Sequence, residues 1–475
     1  MAEPIDSAIV LGAVQEAAIR VYGTEFLRQT WVGKMAEKTN RFFMPSKDAL
    51  VGDGKYFKIK RGPTDNVRFG RELNASFAPP KAFDPAEIKV RVNMRDASAS
   101  DVVRIGVSIR CSLYDLRGIS SEGMIVNLVD EMMMDSQDGF GFKLAASRHL
   151  PRSGLIGSIG STPKNTDTVK YANASTYTSG SSSCKIQVSG GSIGVFKQNF
   201  RYDIYNGSTL VASNMRCTDV DTSEVSGTIQ GTVDLAVTSD SVTSGGGAVT
   251  NCNGIASGHS LYFTGNKDNN IYSLGAWFSN PSAGDSFIGG VDRTSSSNRY
   301  LIPSNIRGEA SSSRRIQAAD FDAMGDAIGY VAGDTPLATL TDPRMVTSLR
   351  QDLGNDVMFT TPPNTPIGER QYAFGGMGVQ FQHPTLGAVM LVGDPLAAPG
   401  TVRAIVPDDW TCEHYGPSDL EWVPGDGGNG YFYRMNDSTP GSGKTLIYQA
   451  DGFAVLSDFC KFPKRQAQIS NVSSS

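Results

Sequence analysis

The sequence predicts an α+β fold of several domains, rich in strands and turns, with a few well-marked helices. Three observations carry this. Glu87 to Arg95 (EIKVRVNMR) alternates polar and apolar residues without an error, the period-2 pattern of a strand with one dry and one charged face. Ser120-Ser121-Glu122 opens an amphipathic helix: Met124, Leu128 and Met132 stack with Ile125, Val129 and Met133, while Asn127, Asp130, Glu131 and Asp135 face away. Residues 155–290 are dominated by Ser, Thr, Gly and Asn with short alternating runs, in a chain that holds 52 glycines.

Length and composition exclude several function classes. A chain of 475 residues is long enough for roughly three domains and a substantial core. Lys and Arg number 43 against 48 Asp and Glu, a formal charge of −5, which argues against a sequence-reading nucleic-acid binder. Cys111, Cys184, Cys217, Cys252, Cys412 and Cys460 are scattered without a C-x-x-C pair, so free buried thiols are expected rather than a zinc site or a disulfide framework. The opening MAEPIDSAIVLGAVQEAAIRVYG has no basic n-region, and Glu16 and Arg20 interrupt it, so no secretory signal is expected. No apolar run approaches the ~18 residues of a membrane span. A soluble, intracellularly made protein with no membrane partner is the expectation.

Taken in order, residues 6–31 read as a helix or two, broken near Gly23. Tyr56 to Arg61 is a weaker strand that pairs naturally with 87–95. Between them lie about two dozen residues with Gly62-Pro63, Pro79-Pro80 and Asp84-Pro85, plus Phe69, Leu73, Phe77 and Phe83. The segment reads as one long hairpin with an apolar, Pro-stiffened tip. Lys55, Lys58, Lys60, Arg61, Arg68 and Arg71 make it basic in an acidic chain. A lone two-stranded hairpin is marginal in water and an exposed apolar tip is an association surface, so an arm lying on a neighbouring subunit is one reading. Strands in an ordinary sheet with a packed loop between them are the other.

Val103 to Cys111 alternates as a further strand, and the helix opened at Ser120 is expected to end at Gly139 and Gly141. Its methionines suit flexible core filling. Within 155–290, Phe196 to Tyr205 and Leu261 to Thr264 alternate. Phe321, Met324, Ile328 and Val331 space as a helix. Asp342-Pro343 and Gly354 bracket another, with Met345, Val346, Leu349 and Leu353 apolar. Gly376 to Gln382, Gly387 to Gly393, Val402 to Val406, Tyr431 to Met435, Thr445 to Tyr448 and Phe453 to Leu456 read as strands separated by turns.

Several motifs suggest chemistry. Gly443-Lys444-Thr445 fits the end of a phosphate-binding loop, but the first glycine position holds Ser438, and a β-type run follows where a helix should open. Gly190-Gly-Ser192-Ile-Gly194 spells a nucleophile elbow, which needs strand, sharp turn and helix, whereas the residues that follow alternate. Cys412-x-His414 supplies only two ligands, and GDGGNG (425–430) lacks the spaced acidic oxygens of a calcium loop. No catalytic residue, metal or cofactor is therefore assigned. A Ser hydrolase or P-loop enzyme stands only as an alternative.

The order of elements resembles the major capsid protein of tailed bacteriophages (Caudoviricetes), whose fold is shared with encapsulins and the herpesvirus capsid floor. The hairpin at 53–95 resembles that family's extended loop, and the helix at 120–138 its spine helix. FIGGVDRTSSSNRYLIPSNI (287–306) resembles the entry to its axial domain. DPRMVTSLRQDLG and FGGMGVQFQHPTLGAVMLVGDPLAAPGTVRAIVPDDW resemble its axial helix and following strands, ending in Asp409-Trp410. The resemblance implies an N-terminal arm and helix at 1–50, an extended hairpin at 51–96, a peripheral domain at 97–154, a β-rich subdomain or insertion at 155–290, an axial α/β domain at 291–400 and closing strands at 401–475.

It also implies a non-enzymatic shell subunit, assembled in the host bacterial cytoplasm into pentamers and hexamers of a virion head that encloses double-stranded DNA without sequence-specific binding. A separate scaffolding protein, a portal and a decoration protein are the implied partners, and an encapsulin-type compartment is the near alternative. The assembly residues implied are Lys58, Lys60, Arg61, Arg68, Phe69, Arg71, Leu73, Phe77 and Phe83.

Overall fold

The computed structural model describes residues 43, 54–60, 87–93, 103–112, 122–166, 170–223, 225, 228–281, 285–288, 291–306, 314–332, 338–353, 379–383, 387–415, 421–422, 433–436 and 446–473. From the N-terminal side the elements are β1 (Gly54–Lys60), β2 (Glu87–Asn93), β3 (Val103–Ser112), α1 (Glu122–His149), β4 (Leu155–Ile159), β5 (Ser183–Ser189), β6 (Arg201–Asn206), β7 (Thr209–Asp221), β8 (Ile229–Ala236) and β9 (Ser260–Phe263). There follow α2 (Leu274–Phe278), β10 (Phe287–Ile288), β11 (Val291–Asp292), β12 (Ser304–Asn305), β13 (Arg314–Arg315), α3 (Ala318–Ala332), β14 (Ala338–Thr341) and α4 (Pro343–Leu353). The chain closes with β15 (Val379–His383), β16 (Gly387–Gly393), β17 (Val402–Ile405), β18 (Trp410–Tyr415), β19 (Glu421–Trp422), β20 (Tyr433–Asn436), β21 (Leu446–Cys460), β22 (Ala467–Ile469) and β23 (Val472–Ser473). The described residues divide into two compact units, one drawing on 43–55, 93–145 and 411–459, the other on 56–92, 146–410 and 460–473.

The first unit is organised by β21, a strand of 15 residues that pairs with β3, β18, β19 and β20. Its inward row is small where its partner is large: Ala450 lies opposite Ile109, Gly452 opposite Val107 and Ala454 opposite Ile105. This corrects the expectation of two strands, 445–448 and 453–456, divided by a turn. Asp451-Gly452 stays extended because Gly452 faces Val107 on one side and Trp422 of β19 on the other, so its missing side chain is covered by neighbours. On the outer row Arg104 lies 4.1 Å over the Phe453 ring.

Helix α1 is a second correction. It runs through Gly139 and Gly141 to His149, 28 residues in all. Each interior glycine costs about 1 kcal/mol against alanine. Phe140, Phe142, Leu144, Ala145 and Ala146 just beyond are all buried, and burial at about 1.5–3 kcal/mol per large side chain outweighs that cost.

The second unit has two parts. Residues 155–263 form a closed antiparallel barrel in the order β4-β5-β8-β7-β6-β9. Its inward row of Ile159, Cys184, Ile186, Val188, Tyr202, Ile204, Met215, Cys217, Val233, Leu235 and Leu261 is buried to within 1 % of complete, so the six-stranded interior is packed with side chains and is no channel. The expected strand over 196–205 begins only at Arg201. Ile193–Val195 is a 3-10 turn, after which the Phe196 ring packs at a tilt against Tyr202, 4.7 Å between centroids.

The other part is a mixed six-stranded sheet, β12-β22-β17-β14-β16-β15, with β12/β22 and β14/β16 parallel and the remaining pairs antiparallel. Phe321, Met324 and Ile328 of α3 and Met345 and Val346 of α4 pack on Leu391, Val402, Ala404, Ala467 and Ile469. Asp342 caps α4 as its position predicts, its Oδ1 accepting from Arg344 N at 2.8 Å. No helix among the described residues is long and apolar enough to cross a membrane.

Candidate functional site

Strands β1 and β2 form a two-stranded sheet of their own, seven residues each. Lys58 and Lys60 lie on β1, with the fully buried Ile59 between them. Arg61, Arg68, Phe69, Arg71, Leu73, Phe77 and Phe83 lie outside the described residues, as do the expected helices of 6–31.

The elbow motif has a different use. Ser192 is buried, donates from Oγ to Pro395 O at 2.6 Å, and accepts from Gly194 N at 3.2 Å. A Cβ on Gly194 would stand 2.2 Å from Pro395 O, and one on Gly191 1.7 Å from Ile156 O. The two glycines let backbone meet backbone, and the serine hydroxyl is consumed in joining barrel to sheet lobe. A second tie lies nearby, where Arg344 Nη2 donates to Asp342 Oδ2 and to Gln230 Oε1 of β8, both at 2.6 Å.

The C-terminal end of α1 meets the same region. His149 Nε2 lies 3.4 Å from Asp394 Oδ2, both about 1 % exposed. Arg403, on β17, is buried. It donates to Gln468 Oε1 at 3.2 Å and to His149 O at 3.5 Å, and burial holds its guanidinium down to about 10. Asn270 fastens the base of the barrel, donating from Nδ2 to the carbonyls of Ser147, Leu150 and Pro151 at 2.8, 3.2 and 3.0 Å. Arg152 donates to its backbone carbonyl.

The segment VDRTS resolves into a buried cation. Arg293 has no exposure and donates from Nη1 to Ala276 O and Asp285 O at 2.9 and 3.0 Å. Its Nη2 donates to Trp277 O at 2.6 Å and to Ser279 O at 3.5 Å. It thereby collects carbonyls from the end of α2 that no helix turn can satisfy. Burial lowers its guanidinium to about 10. Asp292 accepts from Thr294 N at 2.8 Å, which holds the turn. Asp409, in the Asp-Trp pair, accepts from Arg465 Nη1 at 3.3 Å and Gln466 Nε2 at 3.1 Å. Trp410 donates to Gln466 Oε1 at 3.2 Å. Sequence inspection missed Arg293, Asn270 and His149–Asp394; an arginine isolated in a turn flanked by Asp and Thr was the available signal.

No family model and no curated protein matches the sequence. Solved structures give distant likenesses. One is the capsid asymmetric unit of cyanophage A-1(L), at 10% identity and a TM-score of 0.46, covering 95% of each chain. The satellite phage P4 procapsid, with its size-determination protein, gives 7% identity and a TM-score of 0.37 over 100% of this chain and 94% of that one. Mycobacterium phage Patience gives 10% and 0.36 over 100% and 91%.

Of the remaining motifs, GDGGNG (425–430) and Gly443-Lys444-Thr445 lie outside the described residues. Strand β21 opens directly after Thr445, so the helix N-terminus that would hold a nucleotide phosphate is missing from that place. Cys412 and His414 are buried on β18, and no cluster of three metal-ligating side chains occurs among the described residues.

Proposed function

We propose that this chain is the repeating subunit of a closed protein shell, the major capsid protein of a tailed bacteriophage head. The observation that carries the reading is the hairpin. Among the described residues strands β1 and β2 pair only with each other, and a two-stranded ribbon gains too little from its own pairing to stand alone in water. A neighbouring copy is the surface that completes it, with the basic residues of 55–71 set against an acidic subunit and Phe69, Leu73, Phe77 and Phe83 as the apolar contact. Residues 97–154 then form the peripheral domain, 291–400 the axial domain, and 155–290 an insertion carried by the shell.

The partners on this reading are further copies of the chain, a separate scaffolding protein, a portal, a decoration protein, and double-stranded DNA enclosed without base recognition. A net charge of −5 suits a wall that does not grip its contents. Electron microscopy of the purified chain, alone and with its scaffold, tests the reading. Closed polyhedra, or sheets and tubes of six-membered rings, are expected, and a monodisperse monomer under every condition would overturn it. Deleting 62–85 should leave soluble rings or subunits, whereas intact shells from that deletion would remove the arm from the mechanism.

A further inference from the structure

Between the end of α2 and β12, an edge strand of the six-stranded sheet, lies a cleft of about 300 Å³. Phe278, Pro281 and Ile302 give it apolar walls, and Ser304, Asn305 and Gln468 stand among its polar lining. A concave site with a few polar groups set between apolar walls is the usual build of a small-ligand pocket. Which ligand it suits follows from the bonds its polar groups have already made.

Gln468 Oε1 accepts from Arg403 Nε at 3.2 Å, and Asn305 Oδ1 accepts from Ser470 Oγ at 2.9 Å. Each amide is left with its NH2 group to offer, and neither NH2 meets an acceptor among the described residues. Gln468 is only 8 % exposed, so a ligand oxygen that takes its donors relieves a real mismatch. The charge behind the cleft asks for the same kind of ligand. Arg403 is buried against Gln468 Oε1, the His149 carbonyl and the face of Phe278, whose centroid lies 5.7 Å from its guanidinium carbon. Two of these three neighbours line the cleft, and no carboxylate among the described residues pairs with Arg403. Asp285, near Ser279, has Arg293 and Arg152 to answer its own charge. A guanidinium seen through protein rather than water keeps its field over a longer reach.

We propose that this cleft binds a small organic carboxylate, whose oxygens accept from the Gln468 and Asn305 NH2 groups and whose apolar body rests on Phe278, Pro281 and Ile302. Arg403 supplies the positive field from behind the wall. A neutral amide of the same shape brings an NH2 of its own to two groups that can only donate, and the site rejects it. The inference goes beyond shell formation and does not depend on it.

The test is saturation-transfer NMR and equilibrium dialysis on the full chain, with phenylacetate and phenylacetamide as probes. Phenylacetate should bind saturably at about 1 mM or tighter. Phenylacetamide should bind about tenfold more weakly or worse, the difference one charge-assisted hydrogen bond makes. Asn305→Asp keeps the acceptor for Ser470 and puts a charged oxygen where the NH2 stood. Asn305 is exposed, so the variant should fold, and an unchanged thermal midpoint checks that it does. It should weaken phenylacetate about tenfold or more and erase the preference for acid over amide. A blocked peptide with one glutamate that displaces phenylacetate assigns the carboxylate to a protein side chain; one that fails to do so assigns it to a free small acid. Equal affinity for acid and amide, full affinity in Asn305→Asp, or no saturable binding of phenylacetate up to about 10 mM overturns the proposal.

Discussion

Replacing Arg293 by methionine removes the guanidinium while keeping an unbranched, apolar chain of similar reach. Three of its hydrogen bonds are short, 2.6 to 3.0 Å, and all are charge-assisted. At about 1.5–3 kcal/mol each they total about 4–9 kcal/mol. Against this stands the cost of keeping the charge buried. A guanidinium lowered from 12.5 to about 10 has lost about 3 kcal/mol of solvation, which methionine does not forgo. The difference leaves Arg293→Met destabilised by about 1–6 kcal/mol, which spans the range found when one partner of a buried charged contact is removed. Arg293→Lys keeps the charge, but one ammonium cannot span carbonyls on both sides of the turn, so it should fall between. Trp277, whose carbonyl is an acceptor and whose ring stands edge-on 6.2 Å from Trp410, makes tryptophan fluorescence a local reporter. In urea the Met variant should lose that signal about 1–2 M earlier than wild type. A Met variant that unfolds at the wild-type midpoint refutes the assignment of Arg293 as the clamp of α2.

The barrel also has a pH dependence. Burial raises Asp234 to about 6, with Asp219 opposite adding to the shift and Lys185, 3.8 Å away, opposing it. A folded-state value above the unfolded 3.8 means protonation favours the fold, so stability rises as pH falls from about 7 to about 4, by about 2–3 kcal/mol in full. Asp234→Asn should therefore gain on wild type in urea unfolding as pH rises from 5 to 7.5, and a gap independent of pH would sink the reasoning. Ser192→Ala loses the bonds to Pro395 O and from Gly194 N and should cost about 1–2 kcal/mol. Gly194→Ala, whose Cβ meets the Pro395 carbonyl, should cost more, and limited proteolysis of the barrel's flanks reads the order; the reverse order would place the barrel's anchorage elsewhere.

Local periodicity was legible wherever a segment is governed by its own faces. Val103 to Cys111 alternates and is a strand; Asp342-Pro343 starts a helix that Asp342 caps, and 387–393 is a strand with the bounds its glycines suggest. Legibility failed where a distant partner outvotes a local signal. Gly139 and Gly141 look like stops until the buried run after them is counted, and Asp451-Gly452 looks like a turn until Val107 and Trp422 are set beside it. The barrel could be foreseen as β-rich but not as closed, because closure rests on β4 pairing with β9 across the whole subdomain. The polar junction was illegible for a related reason. His149 and Asp394, or Asn270 and Ser147, are far apart along the chain, and no short motif announces them. The hairpin's tip residues at 62–85, which the sequence singles out, lie outside the described residues, so their part in assembly is the shell reading's to test.

The pairing of β4 with β9 has an evolutionary corollary. Leu155 and Tyr262, near the two ends of the barrel segment, face each other in the ladder, so the polypeptide enters and leaves through one doorway about a strand spacing wide. Just outside it, Asn270 and Arg152 hold the two threads together. A host fold that needs only to bridge so small a gap can gain, lose or exchange the whole cassette without relearning how to fold. A foreign domain with adjacent termini, spliced between 154 and 266, would inherit the same doorway. The middle of this protein is thus the natural place for lineages, or engineers, to vary what the surrounding framework displays.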